Sequence, residues 1–166
     1  MTHVATIPPA EFWRSLSGRA VGAAVVTTMD GGSPAGFLAL SVTHLSVDPP
    51  TLMMSVGLQT TALSGIRRSG AFAVNYLERG QQELASIFAG QRGINGAARF
   101  ESETWGALTT GSPILKTAIG AIDCVVQEEI ERFGSAIVIG GVAAYENRGG
   151  APLLHFKGSF HPGHEI

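Results

Sequence analysis

Apolar residues recur along this chain in short runs broken by glycine and proline, not in long amphipathic stretches. Ala20 to Met29 (AVGAAVVTTM) is rich in β-branched residues and reads as a strand, and Asp30-Gly31-Gly32-Ser33-Pro34 reads as the turn after it. Gly36 to Ser41 and Thr51 to Val56 are again apolar, so Gly36 to Gly57 reads as strand, bend, strand. In the bend, Pro49 and Pro50 remove two backbone donors and hold Asp48 extended. The corner is therefore stiff, and it orients the backbone of both flanking strands. Backbone N–H groups aimed at one spot suit a flat, hydrogen-bonding cofactor.

Helical spacing is confined to three short segments. Pro8 to Gly18 has Pro8 and Pro9 suited to a first turn, and Phe12 and Leu16 share a face. Thr60 to Ser69 is capped by Thr60 or Thr61, carries Leu63 and Ile66 on one face and stops at Gly70. Gln81 to Ala89 places Leu84, Ile87 and Phe88 together and ends at Gly90. Ala71 to Leu77 alternates as a half-buried strand should, and Ala121 to Glu131 followed by Ser135 to Tyr145 reads as a pair of long strands. Arg148-Gly149-Gly150 then turns into a short strand, Pro152 to Phe156, and a flexible tail is expected after about residue 160. Gln91 to Gly106 shows no period and reads as a surface loop. Short strands at regular spacing with few helices predict a mainly β, antiparallel barrel with appended helices, in one domain spanning residues 1–166.

Composition narrows the function classes. Charged residues make up only 14% against a hydrophobic 45%, a sparsely charged surface of the kind a partner subunit often covers. The net charge of −2 carries no footprint for nucleic acid or an anionic membrane. No run reaches the length of a membrane span, and MTHVATIPPAEF lacks the basic start and apolar core of a signal peptide. The single cysteine, Cys124, forms no internal disulfide and suits a reducing compartment; a cytoplasmic protein is expected. Mid-strand between Asp123 and Val125, Cys124 reads as a small buried residue, not a nucleophile.

No G-x-G-x-x-G opens a helix after a strand and no G-K-[ST] loop is present, so neither dinucleotide fingerprint nor phosphate loop is supported. His155, His161 and His164 have no further cysteine or acidic cluster beside them, and no metal site is expected. His44 in the central bend reads equally as a cofactor contact or as a turn-stabilising donor. Thr60 and Thr61 read as an N-cap or as a phosphate cradle, since a helix start with two hydroxyls serves either end.

The run G-x-x-A-x-x-x-T-x-x-S-x-D-P-P, followed by an apolar strand, a Thr-bearing helix start and SGAFAVNYL, resembles the short-chain flavin reductases. ELASIFAG, RFESETW, GSPILKTAIGAIDCVV, IVIGGV and PLLHFKGSF continue the resemblance in register from about Phe12 to Phe160. That family implies an antiparallel split β-barrel of the FMN-binding type and a homodimer whose interface holds FMN or FAD. It implies an NAD(P)H:flavin oxidoreductase, with NADH or NADPH as hydride donor to flavin N5 and reduced flavin passed to a separate monooxygenase. Carried onto this chain, Phe37, Leu38, Ala39, Leu40 and Ser41 meet the ring through backbone, and Met54, Ser55 and Val56 face it. Thr60 and Thr61 then bind phosphate. His44, Ser135 and the C-terminal Phe160 fall on the nicotinamide side. The resemblance thereby favours the cradle reading of the two threonines.

Two positions depart from the family pattern. Leu38 and Leu40 stand where the family often has Thr and Ser, removing two hydroxyl contacts to flavin. Gly134-Ser135 stands where many members carry Asp-His, removing a histidine from the nicotinamide side. These departures keep two rival readings open: a flavin-dependent protein of the same fold that does not use NAD(P)H, and a cofactor-free interaction module.

Overall fold

The computed structural model describes residues 6–163. Helix α1 (Pro9–Leu16) precedes β1 (Val21–Gly22), β2 (Ala24–Asp30), β3 (Ser33–Ala39), β4 (Thr43–Val47) and β5 (Pro50–Gly57). Helix α2 (Ala62–Ser69), β6 (Ala71–Tyr76), α3 (Gln82–Phe88) and a 3-10 turn (Gly96–Phe100) lead to β7 (Trp105–Ala107) and β8 (Pro113–Leu115). The chain closes with β9 (Gly120–Arg132), β10 (Ser135–Asn147), β11 (Leu153–Phe156) and β12 (Ser159–Pro162). Seven strands form one antiparallel sheet in the order β3-β2-β6-β9-β10-β5-β4. β1-β11-β12 make a small second sheet and β7-β8 a third.

Two hydrophobic cores lie on opposite faces of the sheet's β2–β3 end. Ala24 and Val26 of β2 join Met54, Val56, Leu63, Ile66, Phe72 and Val138 in the first. Val25, between them, turns the other way into the second, with Ala23, Leu84, Phe88, Phe100, Leu115 and Leu153. A strand buried on both faces needs a continuous apolar run, which is what AVGAAVV supplies. The same alternation divides β3 and the two residues after it: Phe37 and Ala39 pack on the first core, Leu38 and Leu40 on the second.

The expected strand-bend-strand unit is not a pair. β3 and β5 are not neighbours; β5 pairs with β10 on one side and with β4 on the other. Thr43–Val47 forms an edge strand that the alternation rule misses, because its residues are largely exposed on both faces. The stiff Asp48-Pro49 link is therefore a hairpin turn between β4 and β5, with a cis peptide bond. The expected single strand over Ala20–Met29 breaks at Ala23, whose N–H donates to Leu153 O (2.8 Å) while its carbonyl accepts from Leu77 N (3.0 Å).

Three other expectations are corrected. Gln91–Gly106 is not merely a surface loop, since Phe100 and Trp105 anchor it on the second core and Trp105 Nε1 donates to Phe100 O (3.0 Å). Ser159–Pro162 is strand, not tail, because the Lys157-Gly158 turn folds it back onto β11. Residue 164 and beyond, with His164, lie outside the described residues. Thr61 occupies the N-cap of α2 but makes no side-chain cap bond; it already has helical dihedrals.

Candidate flavin groove

One groove of about 590 Å³ opens where several of these elements end together. The C-terminal ends of β3 and β5 converge there, although the strands are distant in sheet order. Ser41 ties them, its Oγ donating to Ser55 O (3.0 Å) and accepting from Ser55 N (3.2 Å). The barrel is split at this line: two side-chain contacts replace a backbone ladder. β3 lies at an end of the sheet order, so alternate amides on its far edge have no ladder partner among the described residues and can meet a ligand.

Phe37, Leu38, Ala39, Leu40 and Ser41 form one wall; Ser55, Val56, Gly57 and Thr60 form the facing wall. Trp13, Leu16 and Ser17 at the end of α1, with Arg19 and Val21, close a third side. His155, Lys157 and Gly158 at the β11–β12 hairpin complete it. α1 has no fully buried residue and Trp13 is 70% exposed, so the helix acts as a lip on the groove.

Of the residues singled out from sequence, Phe37 to Ser41, Ser55, Val56 and Thr60 come together here. Met54 does not turn toward the groove. Strand alternation sends its side chain into the first core at 2% exposure and leaves Ser55 facing outward. Thr61 is exposed and outside the groove wall, whereas Thr60 is half-buried within it. The two threonines thus have separate roles.

His44 sits on the exposed edge strand opposite Leu52, away from the groove lining. Ser135 is one step removed, paired with Gly57 of the wall. Phe160 packs on the second core and meets His155 edge-on at 5.4 Å between ring centroids. It supports a lining residue without lining the groove itself. Trp13, Arg19, His155 and Lys157 were not among the residues expected at the site; the short β1–β11 pairing that assembles them leaves no local periodicity to read.

Cys124 is fully buried, and burial, reinforced by Asp123, pushes its thiol up to about 12. A thiol held protonated is no nucleophile. Asp123 itself is held by Thr110, whose backbone N–H donates to Oδ2 (2.7 Å) and whose hydroxyl donates to Oδ1 (2.5 Å). Among the described residues no three His, Cys, Asp or Glu side chains converge as a metal site would require. No helix among them is long and apolar enough to cross a membrane.

A groove of this volume with an apolar floor, edge-strand amides and the Thr60 hydroxyl in its wall fits a flavin by size and by donor set. Comparison with known proteins gives the same direction. Residues 16–164 match the family model described as "Flavin reductase like domain". The chain is 35% identical over 144 residues to "FMN reductase (NADH) RutF 2" of Rhizobium rhizogenes, covering 85% of this chain and 82% of that one. It is 30% identical to "Flavin-dependent monooxygenase, reductase subunit HsaB" of Rhodococcus jostii, covering 93% and 77% respectively. Among solved structures it superposes on "Flavin reductase PheA2 in native state" with a TM-score of 0.85 at 28% identity, covering 94% of this chain and 98% of that one. Fold, groove and sequence agree: the chain belongs to the flavin reductase-like family.

Proposed function

We propose that the protein is an NAD(P)H-dependent flavin reductase that supplies reduced FMN or FAD to a separate monooxygenase. The observation that carries this reading is the groove at the barrel's split, where an unpaired strand edge, an apolar floor and the Thr60 hydroxyl face one space. A flavin held in this groove would supply the redox chemistry, that of a hydride acceptor toward a reduced nicotinamide. The chain's own tasks are binding and positioning. Amides from the free edge of β3 stabilise negative charge on the polar edge of a bound ring, and because they are held by the sheet they need no reorganisation. Phe37, Leu38 and Leu40 stiffen that edge by packing on both cores. Thr60 offers a hydroxyl for phosphate. No side chain has to move a proton in this chemistry.

The working form is a homodimer in the cytoplasm. Exposed apolar side chains support the first part: Trp13 on the groove's lip, and Leu45 and Val47 on the β4 edge, with Val47 83% exposed. A partner subunit would take these side chains out of water, Trp13 among them at the groove. Cytoplasmic placement accords with a single buried cysteine and with reduced nicotinamide nucleotides as substrate.

The test is anaerobic mixing of the protein with FMN or FAD and each nicotinamide nucleotide, followed by flavin absorbance. Bleaching faster than the protein-free rate is expected with at least one nucleotide. No acceleration with either nucleotide, on a protein that still takes up flavin, overturns the reductase reading in favour of a flavoprotein with other chemistry.

A further inference from the structure

The groove carries a second set of polar side chains besides Thr60. Its lining includes Arg19, Lys157 and His155 and no carboxylate, although the chain as a whole carries 13 acidic against 11 basic residues. Local charge at the groove therefore runs against the molecule's net sign. Among the described residues neither Arg19 nor Lys157 is engaged in an ion pair.

Strand pairing brings the two cation-bearing segments together. Val21 pairs antiparallel with His155, and beyond that pair the chain leaves the sheet as a bend at Arg19 and a turn at Lys157. The backbone there is pinned: Lys157 N–H donates to Ser17 O (3.2 Å) and Arg19 N–H to Leu16 O (3.1 Å). The Lys157 ammonium stands 5.2 Å from the Phe156 ring centroid, which gives the flexible side chain a resting place beside the groove.

Lys157 also sits in unfavourable backbone. It is the first central residue of the β11–β12 turn, with φ 49°, followed by Gly158 at φ 78°. A two-residue turn with both φ positive prefers asparagine, aspartate or glycine at that first position. A long cationic side chain held there, at a groove, is the kind of local strain that marks a functional position.

We propose that Arg19 and Lys157 form a pyrophosphate subsite that holds the diphosphate bridge of a dinucleotide. A forked guanidinium beside an ammonium matches two adjacent phosphates better than one carboxylate or one phosphate. Thr60, on another wall of the same groove, serves the phosphate that FMN carries. The diphosphate has two sources in this chemistry, FAD and the nicotinamide dinucleotide. The inference rests on the groove being the flavin site.

The experiment uses the purified full chain, with inorganic pyrophosphate and inorganic phosphate as probes. In steady-state NADH oxidation at saturating FMN, pyrophosphate competes more strongly than phosphate. Arg19→Ala and Lys157→Asn each remove that advantage and flatten the salt dependence, while Lys157→Arg retains both. Each loss variant weakens one dinucleotide about ten-fold, and FMN much less. A raised KM for NADH assigns the subsite to the hydride donor; a fallen FAD-to-FMN affinity ratio assigns it to the flavin. Lys157→Asn suits the turn, so its melting temperature does not fall and misfolding cannot explain the loss. If the wild type reduces flavin but pyrophosphate does not compete, or both loss variants match wild type, the subsite is overturned and the reductase reading stands. A wild type that neither takes up flavin nor oxidises NADH overturns both.

Discussion

Thr60 and Thr61 are adjacent in sequence, yet their side chains meet different surroundings, and single substitutions separate them. Thr60→Val removes a hydroxyl from the groove wall, and FMN affinity should fall by roughly 5- to 10-fold, the loss of about 1 kcal/mol or slightly more. Riboflavin, which has no phosphate, should be little affected. Thr61→Val should change neither, and fluorescence titration of both flavins reads the difference. Ser135, paired with Gly57 of the wall, stands where the resemblance leads one to expect a histidine. Ser135→His is expected to raise flavin-dependent NADH oxidation several-fold by restoring a contact to the nicotinamide, as measured by initial rates. Cys124 offers a control on burial. Its folded thiol ionises only near 12 against an ordinary 9.0, so a thiol reagent at pH 8 should label the native protein only through unfolding. Burial favours the neutral thiol, so this group's contribution to stability is whole below pH 9.0 and is lost as pH rises from there to about 12.

At the scale of elements, β3 is the part on which the groove depends. Gly36 is where it meets the second core: a Cβ there would lie 2.8 Å from Val26 O and 3.0 Å from the Phe88 ring. Gly36→Ala must push the strand or the aromatic cluster of Phe88, Phe100 and Trp105 apart. A loss of about 1–3 kcal/mol in chemical denaturation is expected, with weaker flavin binding as residues 37–41 shift. The Asp48-Pro49-Pro50 turn stands in contrast. It lies at the start of β5, whereas the groove is lined by Ser55 to Gly57 near that strand's end. Replacing both prolines by alanine should leave flavin affinity unchanged, contrary to what the stiffness of the corner alone implies. Asn75 joins three elements within the interior. Its Nδ2 donates to Thr27 Oγ1 (3.1 Å) and Val25 O (3.2 Å), and its Oδ1 accepts from Leu115 N (2.8 Å). Truncation to alanine strands buried backbone groups and should cost about 2–4 kcal/mol of unfolding free energy.

For the whole molecule, the arrangement of exposed apolar side chains bears on assembly. Trp13 on the groove's lip and Val47 on the β4 edge lie on different elements, and both are exposed apolar side chains of the kind a symmetric pairing covers. Light scattering at micromolar concentration should therefore give twice 17.3 kDa. Val47→Glu with Leu45→Glu on the β4 edge should shift the population toward monomer and weaken flavin uptake together. A stable monomer in the wild type would exclude the shared-groove arrangement.

Much of this was legible from sequence, where the cause is local. Runs such as AVGAAVV and AFAVNYL declare buried strands because side-chain alternation has period two and both faces are covered. Gly70 and Gly90 mark helix ends because left-handed backbone favours glycine. The order of motifs resembled one family across nearly the whole chain, and the family match covers residues 16–164. What sequence could not reveal is non-local. That β3 and β5 belong at separate places in the sheet, and that their ends still converge at Ser41 and Ser55, follows from how the sheet curls. That Met54 faces inward while Ser55 faces out depends on the register of β5 against β10, since a shift of one residue would exchange the two. Arg19 and Lys157, far apart in the chain, line one groove because β1 pairs with β11. Local propensity determined the elements of this protein; the closure of the sheet decided which of their backbone edges and side chains share one groove.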